Sequence, residues 1–403
     1  MLQNLNYAKR AVVLDCLPLL LNPFQHSLMK FIVSSSALLR QLQSVQGVIQ
    51  TNNVLPILDH YLFDVEGKNL TICTTDLNTT MRTRLPVEGN GQAKVAVPGR
   101  ILLETLKTLP DQPISISFDL KTFAIEVHTD KGKFKLSGEN GEEFPTLPDM
   151  PGNQHFTLPS DALLTGISNT LFAVGTDELR LAMTGVKMEC AGTILSFVAT
   201  DAHKLVLHKQ RGIEVPAAAG FIVPRKALSL LKATLQGDET LVKVDYNNTH
   251  VAFSFGDLEL VCRLIDQKYP DYQAVIPKES ANRLVIKRAE FLSSLRRISI
   301  YSSKSTYQVR LSIKGSELQL SAEDPDFANQ ATETISCDYN GADLEIGFNA
   351  RFLVEMLSTL SGEEVQFELS LSSRPGVLRP VHQEDQEDTL MLLMPVMLSD
   401  YRT

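Results

Sequence analysis

The chain has 403 residues, 43% of them hydrophobic and 21% charged, which is typical of a globular protein of roughly two to four domains. Its formal net charge of -9, taken as a bulk property, argues against nucleic acid as a partner. The five cysteines are widely spaced and form no CxxC pair, so we expect buried free thiols in a reducing cytoplasm and no zinc site.

The first 28 residues precede the regular part of the sequence. Residues 11–21 resemble a weak signal sequence, but Asp15 and Pro18 interrupt the apolar stretch and no small-x-small cleavage site follows it. The stretch is too short to span a bilayer as a helix, and no other segment is typical of a membrane span. We expect a disordered extension or an upstream start over residues 1–28, in preference to a secretion signal.

From Met29 the sequence predicts a short strand that runs into an amphipathic helix over residues 36–49. The strand NLTICTTDLNTT follows, with an aspartate, Asp76, at its end. The next unit is a strand, a turn at Pro98 and a helix over residues 98–108. Alternating apolar and polar residues then predict further strands at 114–118 and 123–127.

This order of elements is repeated twice more along the chain. The strand–turn–helix unit around Pro98 recurs after 126 and then 125 residues, at Pro224 and Asn349. The strand-end aspartate recurs after 125 and then 123 residues, as Asp201 and Asp324. Entry units of a strand followed by a helix recur as FTLPSDALLTGISNTLFAV and LVIKRAEFLSSLRRISIYS. A repeat this long is a whole domain and is far longer than the unit of a solenoid.

The repeat fixes the expected architecture. Polar, proline-bearing stretches predict an extension over 1–28 and three domains over 29–152, 153–280 and 281–403. Each copy has two short helices and several alternating strands, which predicts an α+β fold with two helices packed on antiparallel sheet in each domain.

Positive charge is concentrated in the predicted helices. The six helices cover residues 36–49, 98–108, 159–173, 224–235, 288–300 and 349–360. They carry ten basic and four acidic side chains, a net charge of +6, which leaves -15 for the rest of a chain whose total is -9. If the helices share one surface, that surface attracts phosphate without reading sequence. Exposed helix faces also favour Lys and Arg for solvation alone, and the charge sum does not separate these two explanations.

Sequence motifs for catalysis are missing. The chain has no P-loop, no GxGxxG after a strand, no HExxH and no GxSxG, so we predict neither an enzyme nor a cofactor or metal site. Asp201 and His203 could suggest a metal site, but Asp76 at the matching position has no nearby histidine. We expect the repeated aspartate to cap a turn. Two rival hypotheses are a metal-dependent nuclease using Asp76 and Asp201, and a scaffold that never touches DNA.

Several stretches together resemble one family, the bacterial sliding clamp or beta subunit of DNA polymerase III. They are MKFIVSSSALLRQLQSV from Met29, NVLPIL from Asn53, VATDAHKL from Val198, FIVPRKAL from Phe221, YPDYQAVIP from Tyr269, EIGFNARFL from Glu345 and LLMPVML from Leu392. The resemblance covers nearly the whole chain, from Met29 to about Leu398.

The resemblance implies a DNA-clamp fold in which two chains join head to tail as a ring around duplex DNA. It implies a homodimer whose helices line the hole and which tethers the DNA polymerase III alpha subunit, the clamp loader and repair proteins through short linear motifs. It implies no membrane association. The basic side chains expected to face the DNA are Arg40, Arg100, Lys107, Arg180, Arg225, Lys226, Lys232, Arg296, Arg297 and Arg351.

The resemblance also implies two protein-binding surfaces. A pocket for partner peptides between the second and third domains would be lined by Met183, Thr200, His203, Leu205, Pro270, Val275, Val377, Leu392, Met394 and Pro395. Met and Leu can repack around varied hydrophobic anchors, although each would otherwise be read as ordinary core. The dimer interface would join Phe134 and Leu136 of one chain to Ile300 and Tyr301 of the other.

The sequence departs from the family at four places. Residues 51–53 lack a basic residue that some relatives place before Leu55, and Ala182 stands where relatives can carry an aromatic that gates the pocket. Residues 399–403 extend past the usual C-terminal end and could crowd the pocket. The extension over 1–28 has no family counterpart.

Overall fold

The computed structural model describes residues 28–49, 55–146, 148, 154–215, 218–278 and 280–398. The extension except Leu28, the loop at 51–53 and the tail at 399–403 therefore lie outside the described residues. The regular structure begins at Leu28, one residue before the predicted start.

The first copy contains two helices among short strands. Its elements are β1 Leu28–Ser34, α1 Ser35–Val45, β2 His60–Glu66, β3 Asn69–Thr75, β4 Thr79–Pro86, β5 Glu88–Gly89, β6 Gln92–Pro98, α2 Gly99–Thr108, β7 Pro113–Asp119, β8 Ala124–His128, β9 Lys133–Ser137 and β10 Glu139–Asn140. The Ser34 hydroxyl caps α1 by accepting the amide of Ala37 at 3.3 Å. A one-turn 3-10 helix, Gln46–Val48, extends α1.

The second copy repeats this order. Its elements are β11 Gln154–Pro159, α3 Ser160–Thr170, β12 Gly185–Ala191, β13 Ile194–Thr200, β14 Lys204–Arg211, β15 Ala219–Pro224, α4 Arg225–Thr234, β16 Leu241–Tyr246, β17 His250–Phe255 and β18 Leu258–Arg263. The 3-10 turn Leu171–Ala173 follows α3 as Gln46–Val48 follows α1. A longer 3-10 segment, Glu178–Thr184, precedes β12.

The third copy completes the chain. Its elements are β19 Asn282–Lys287, α5 Arg288–Ile298, β20 Gln308–Lys314, β21 Glu317–Asp324, β22 Asn329–Ser336, β23 Asp338–Asn340, β24 Leu344–Asn349, α6 Ala350–Thr359, β25 Glu364–Leu369, β26 Gly376–Pro380 and β27 Glu387–Leu393. The 3-10 turn Ser299–Tyr301 follows α5. The part of the chain that the structure describes thus holds six α-helices at the six predicted places, which confirms the α+β triplication.

Every strand pairing among the described residues is antiparallel, and the strands form four sheets. Two nine-stranded sheets cross the domain junctions, since β4 pairs with β18 and β14 pairs with β27. A five-stranded sheet ends at β9 of the first copy, and a four-stranded sheet ends at β22 of the third. The sheets continue through both internal junctions. They do not continue beyond β9 of the first domain or β22 of the third.

Helices cover the sheets because their apolar stripes need burial. In α2 the leucines at 102, 103 and 106 are buried while Arg100 and Lys107 are exposed, as the 3.6-residue period requires. The helices of each copy pack on each other and on their own sheets. Close packing fixes some residues: a Cβ on Gly166 of α3 would lie 2.4 Å from the Phe197 ring on β13.

Candidate functional site

The six helices form one row on the same side of the sheets. Within each copy the two helices pack together. At the first junction α1 meets α4, where a Cβ on Gly47 would lie 2.5 Å from the Leu230 side chain. At the second junction Lys204 Nζ lies over the rings of Phe172, just after α3, and Phe352 of α6. The order along the row is α2, α1, α4, α3, α6 and α5, so the basic helices share one surface.

Nine of the ten predicted DNA-facing side chains are exposed, and Lys226 is half-buried. Arg40, Arg100, Arg225 and Lys232 make no side-chain hydrogen bond or ion pair with the described residues. Glu104 and Glu355, two of the four helix carboxylates, are neutralised by Lys107 and Lys204 respectively. The surface therefore presents unpaired cations with part of its acidic charge compensated.

Other members of the set are held by contacts within the chain. Lys226 is the clearest departure from the prediction, because its ammonium pairs with Asp76 and donates to the Val48 carbonyl at 3.2 Å. Arg297 forms a two-pronged contact with Glu333 at 2.7 Å, and that contact lowers the pKa of the Glu333 carboxyl to about 2. Arg351 lies 3.4 Å above the centre of the Tyr307 ring.

Two arginines and a lysine of the set have weaker contacts. Lys107 pairs with Glu104 one turn away, and Arg296 donates to the Ser358 hydroxyl at 3.2 Å. Arg180 pairs with Asp177 and stands on the 3-10 segment Glu178–Thr184, so it is not on any of the six helices. These exposed pairs are weak in water and leave the cations available to other anions.

The structure brings most of the predicted pocket residues together where β14 meets β27. Leu205 is paired in register with Leu392, which is also paired with Val377 on β26. The Met394 amide donates to the His203 carbonyl at 2.9 Å, which ties the C-terminal segment to the turn before β14. Thr200 closes the same turn by donating to the Lys204 carbonyl at 2.7 Å. Met394 is 40% exposed beside this buried floor.

The remaining pocket residues lie on segments that border the floor. The Met183 carbonyl accepts the Gly175 amide, next to Asp201 of the same turn. Pro270 and Val275 follow two tyrosines, Tyr269 and Tyr272, that pack into the floor, and Pro395 follows Met394. Val275 is 50% exposed.

Sequence reasoning missed the apolar platform beneath these residues. Its members outside the predicted set are Val198, Leu207, Ile222, Tyr269, Tyr272 and Leu390. The Tyr269 hydroxyl donates to the Val198 carbonyl at 3.2 Å, and the Tyr272 hydroxyl contacts Glu189 at 2.6 Å. Leucines on β14 and β27 have the alternation that would have marked a second buried face, but sequence alone does not say that these strands pair.

The two internal junctions differ in one facing pair of residues. At the first junction Arg82 of β4 faces Glu259 of β18, and the two form an ion pair at 3.0 Å. The equivalent position on β14, 125 residues later, is Leu207, which faces Leu390. The first junction thus has an ion pair where the second has two buried leucines, which belong to the apolar platform.

Two of the three repeated aspartates, Asp76 and Asp201, cap turns as the sequence predicted, whereas Asp324 Oδ1 accepts no hydrogen bond among the described residues. Asp76 Oδ1 accepts the amides of Asn78 and Thr79, and Asp201 Oδ1 accepts those of His203 and Lys204. The other carboxylate oxygen pairs with Lys226 in the first case and Lys204 in the second. Both aspartates are thus used in structure, and within the described ranges no cluster of three metal-ligating side chains was found.

Between β14 and β27 the second junction also buries a histidine. His208 is fully buried, and its Nδ1 lies 2.8 Å from the Thr389 hydroxyl across the junction. Burial lowers the pKa of His208 to about 4, with Asp388 opposing the shift weakly. The imidazole is therefore neutral at neutral pH.

The predicted dimer residues lie on β9 or near β22, which are edge strands of the five-stranded and four-stranded sheets. Phe134 and Leu136 lie on β9, and Ile300 and Tyr301 lie in the 3-10 turn that packs against β21 and β22. Ile300 and Tyr301 are 67% and 43% exposed, although both side chains are apolar for most of their surface.

Two further features concern the cysteines and the membrane. Cys73, Cys190 and Cys262 are free and buried, and burial raises the pKa of each thiol, while Cys337 is free and half-buried. Cys16 lies outside the described residues. No helix in the described ranges combines the length and the apolar character that crossing a membrane requires.

Comparison with protein families gives three consecutive matches. The family models for the N-terminal, central and C-terminal domains of the DNA polymerase III beta subunit match residues 29–148, 157–271 and 273–395. The curated beta sliding clamp of Pseudomonas aeruginosa is 30% identical over 373 residues, which is 92% of this chain and all of that relative. The beta sliding clamp of Caulobacter vibrioides is 29% identical over 87% of this chain and 95% of that relative.

Solved structures show the same similarity in three dimensions. A sliding clamp from Pseudomonas aeruginosa bound to griselimycin aligns with a TM-score of 0.87 at 29% identity, over 92% of this chain and all of that one. The DNA polymerase III beta subunit of Thermotoga maritima aligns with a TM-score of 0.85 at 27% identity, over the same shares.

Proposed function

Because this chain belongs to the DNA polymerase III beta subunit family, the beta sliding clamps, we propose that two copies close a ring around duplex DNA. The ring slides along the DNA and holds a polymerase at its template, so the protein is a processivity factor and not an enzyme. Tethering acts by keeping the local concentration of the partner high after each dissociation.

The observation that carries this proposal is the exposure of apolar residues in the first and third domains, on the sides that have no neighbouring domain within the chain. Val48 and Ala173, the last residues of the first two 3-10 turns, are fully buried, whereas their counterpart Tyr301 is 43% exposed. Ala227, the third residue of α4, is fully buried, whereas its counterpart in α2, Ile101, is 53% exposed. Each buried counterpart lies near an internal junction, and we infer that a second copy supplies the missing neighbouring domain for Ile101 and Tyr301.

The sheet edges support the same assembly. The second and third copies join through β14 and β27, and the first and second through β4 and β18. The equivalent strands are β22 and β9, each of which pairs with a neighbour on one side only. Pairing β22 with β9 between chains unites the four-stranded and five-stranded sheets into a nine-stranded sheet like the two internal ones. It also removes the open edges of these two strands.

The helix row supplies the surface that faces the DNA. In a closed ring its unpaired cations, Arg40, Arg225 and Lys232 among them, point to the enclosed duplex and attract its phosphates. They read no base sequence, which suits a ring that must move along any DNA. The acidic remainder of the chain keeps DNA from binding on the outside.

Partners dock at the apolar floor between β14 and β27. Its leucines and tyrosines, with Met183 and Met394 at the border, suit short peptides that carry hydrophobic anchors. We expect the polymerase subunit, the clamp loader and repair proteins to use this surface, in the cytoplasm where the chromosome is copied.

Topological retention tests the proposal. The protein is loaded by its clamp loader onto nicked circular DNA and followed by gel filtration. It should co-elute with the circle and be lost after the circle is cut, because a ring slides off a free end. Linear DNA whose ends are blocked with streptavidin should retain it. Equal loss from circular, cut and end-blocked DNA would contradict the proposal.

A further inference from the structure

An ion pair links the first two domains on the helix side of their junction. Lys226 is the second residue of α4, and its ammonium reaches back to Asp76 in the turn after β3. The same ammonium donates to the carbonyl of Val48, the last residue of the 3-10 turn after α1. One cation at the start of a helix thus joins a strand-end aspartate and a turn carbonyl of the preceding domain.

Opposite charges also link the second and third domains at the corresponding place. Lys204, in the turn that Asp201 caps, lies 3.3 Å from Asp201 and 2.9 Å from Glu355 of α6. The ring of His203 in this turn stacks on Phe352, also of α6, with centres 6.3 Å apart. Both internal junctions therefore pair the strand-end turn of one domain with the second helix of the next.

The third turn has the same aspartate without a partner. Asp324 ends β21 as Asp76 follows β3, and its side chain is only 4% exposed. Its Oδ1 has no hydrogen-bond partner in the part of the chain that the structure describes. A buried carboxylate oxygen without a donor is costly, so this oxygen points to a donor that one chain does not provide.

The matching cation lies on α2 of the first domain. Arg100 is the second residue of α2, 126 residues before Lys226, and it is exposed and unpaired among the described residues. The surrounding charges are complementary: Glu323 and Asp326 flank Asp324, while Lys131 precedes β9 and Lys135 lies on it, in the same domain as Arg100. Electrostatic complementarity of this kind sets the register of an interface.

We propose that Arg100 of one copy pairs with Asp324 of the second copy and donates to the carbonyl of Tyr301 there, as Lys226 does with Asp76 and Val48 inside the chain. The inference rests on the proposed two-copy ring and adds the contact that locks its closing junction. It also assigns Arg100 to the interface between chains, in place of the role at the DNA that the sequence predicted.

A double-mutant cycle on the full chain tests this pair. The variants are Arg100→Ala, Asp324→Asn and the two combined, and dimer dissociation is measured by analytical ultracentrifugation at several protein concentrations. Each single change should raise the dimer Kd about tenfold or more, because each leaves one charge at the seam without its partner. The combined variant should be no more than about threefold weaker than either single one, since both remove the same contact.

Arg40→Ala is the matched control, because Arg40 is also exposed and unpaired but lies on α1, next to the internal junction. Its dimer Kd should equal that of the wild type. Circular dichroism melting of each variant separates a lost contact from lost folding. If the wild type is a dimer and the effects of Arg100→Ala and Asp324→Asn on the dimer Kd simply multiply, the proposed pair is overturned. The same holds if each variant has the dimer Kd of Arg40→Ala. Either result overturns the pair and leaves the proposed ring intact. A wild type that stays monomeric at micromolar concentration would overturn both.

Discussion

Met183 and Met394 are the two methionines of the predicted pocket, and neither is fully buried. Met394 is 40% exposed and is anchored by its backbone to the turn at His203, while Met183 is half-buried above Asp201. Ala182 beside it packs on the floor, so the position where relatives can carry a gating aromatic holds a small residue here. The methionines therefore provide most of the adjustable surface.

Replacing both methionines should weaken peptide binding without opening the ring. We expect Met183→Ala with Met394→Ala to raise the Kd for a labelled clamp-motif peptide about tenfold or more, because two flexible apolar contacts are lost. Fluorescence anisotropy measures the affinity. Leu241→Ala, which removes a 62% exposed side chain on β16, is the control and should leave the affinity unchanged. An unchanged affinity in the double variant would refute this placing of the pocket.

At the scale of elements, the pairing of β14 with β27 joins two domains and holds the pocket floor. His208 and Thr389 face each other in this pairing. The Nδ2 atom of Asn169 on α3 lies 3.3 Å from the same Nδ1 of the His208 ring. The junction thus buries one neutral histidine.

Acid should weaken this junction. Burial lowers the pKa of His208 from 6.5 to about 4, so the unfolded chain takes up a proton below pH 6.5 that the folded chain does not. The stabilisation is complete above pH 6.5 and falls as pH drops toward 4, by about 2 kcal/mol between pH 7.5 and 5. Urea unfolding followed by circular dichroism measures it.

Two histidine variants isolate this effect. His208→Gln should lower the free energy of unfolding at pH 7.5. Between pH 7.5 and pH 5, however, its free energy of unfolding should fall by about 2 kcal/mol less than that of the wild type. His155→Gln, at an exposed position of β11, should keep the wild-type slope. The same slope in all three proteins would show that His208 does not control the acid response.

At the scale of the whole molecule, strand pairing within the chain closes the two junctions between neighbouring domains, and the proposed ring leaves a third junction to a second copy. Ile101 in the first domain and Tyr301 in the third are exposed, whereas their counterparts Ala227, Val48 and Ala173 are buried. In the proposed ring, closure would bury apolar surface at two seams and add two strand pairings, one at each seam.

A charge placed at this seam should open the ring. Tyr301→Asp would bury an unpaired carboxylate on assembly, so we expect monomers of 44.6 kDa by light scattering. Leu371→Asp, at a 65% exposed position between β25 and β26, is the control and should stay dimeric. Persistence of the Tyr301→Asp dimer would mean that Tyr301 lies outside the interface.

The sequence by itself determined the triplication, the six helices and the turn-capping role of Asp76 and Asp201, because periodicity and turn chemistry are local properties of the chain. The family resemblance added the predicted pocket residues, of which Leu205 lies on β14 and Leu392 on β27. Only the tertiary structure decided which strands pair across the junctions, and with that the platform of Tyr269, Leu207 and Leu390. It also decided that Lys226 serves a junction and that Asp324 lacks a donor. Contacts between residues more than a hundred positions apart depend on how whole domains abut, and no local pattern encodes that.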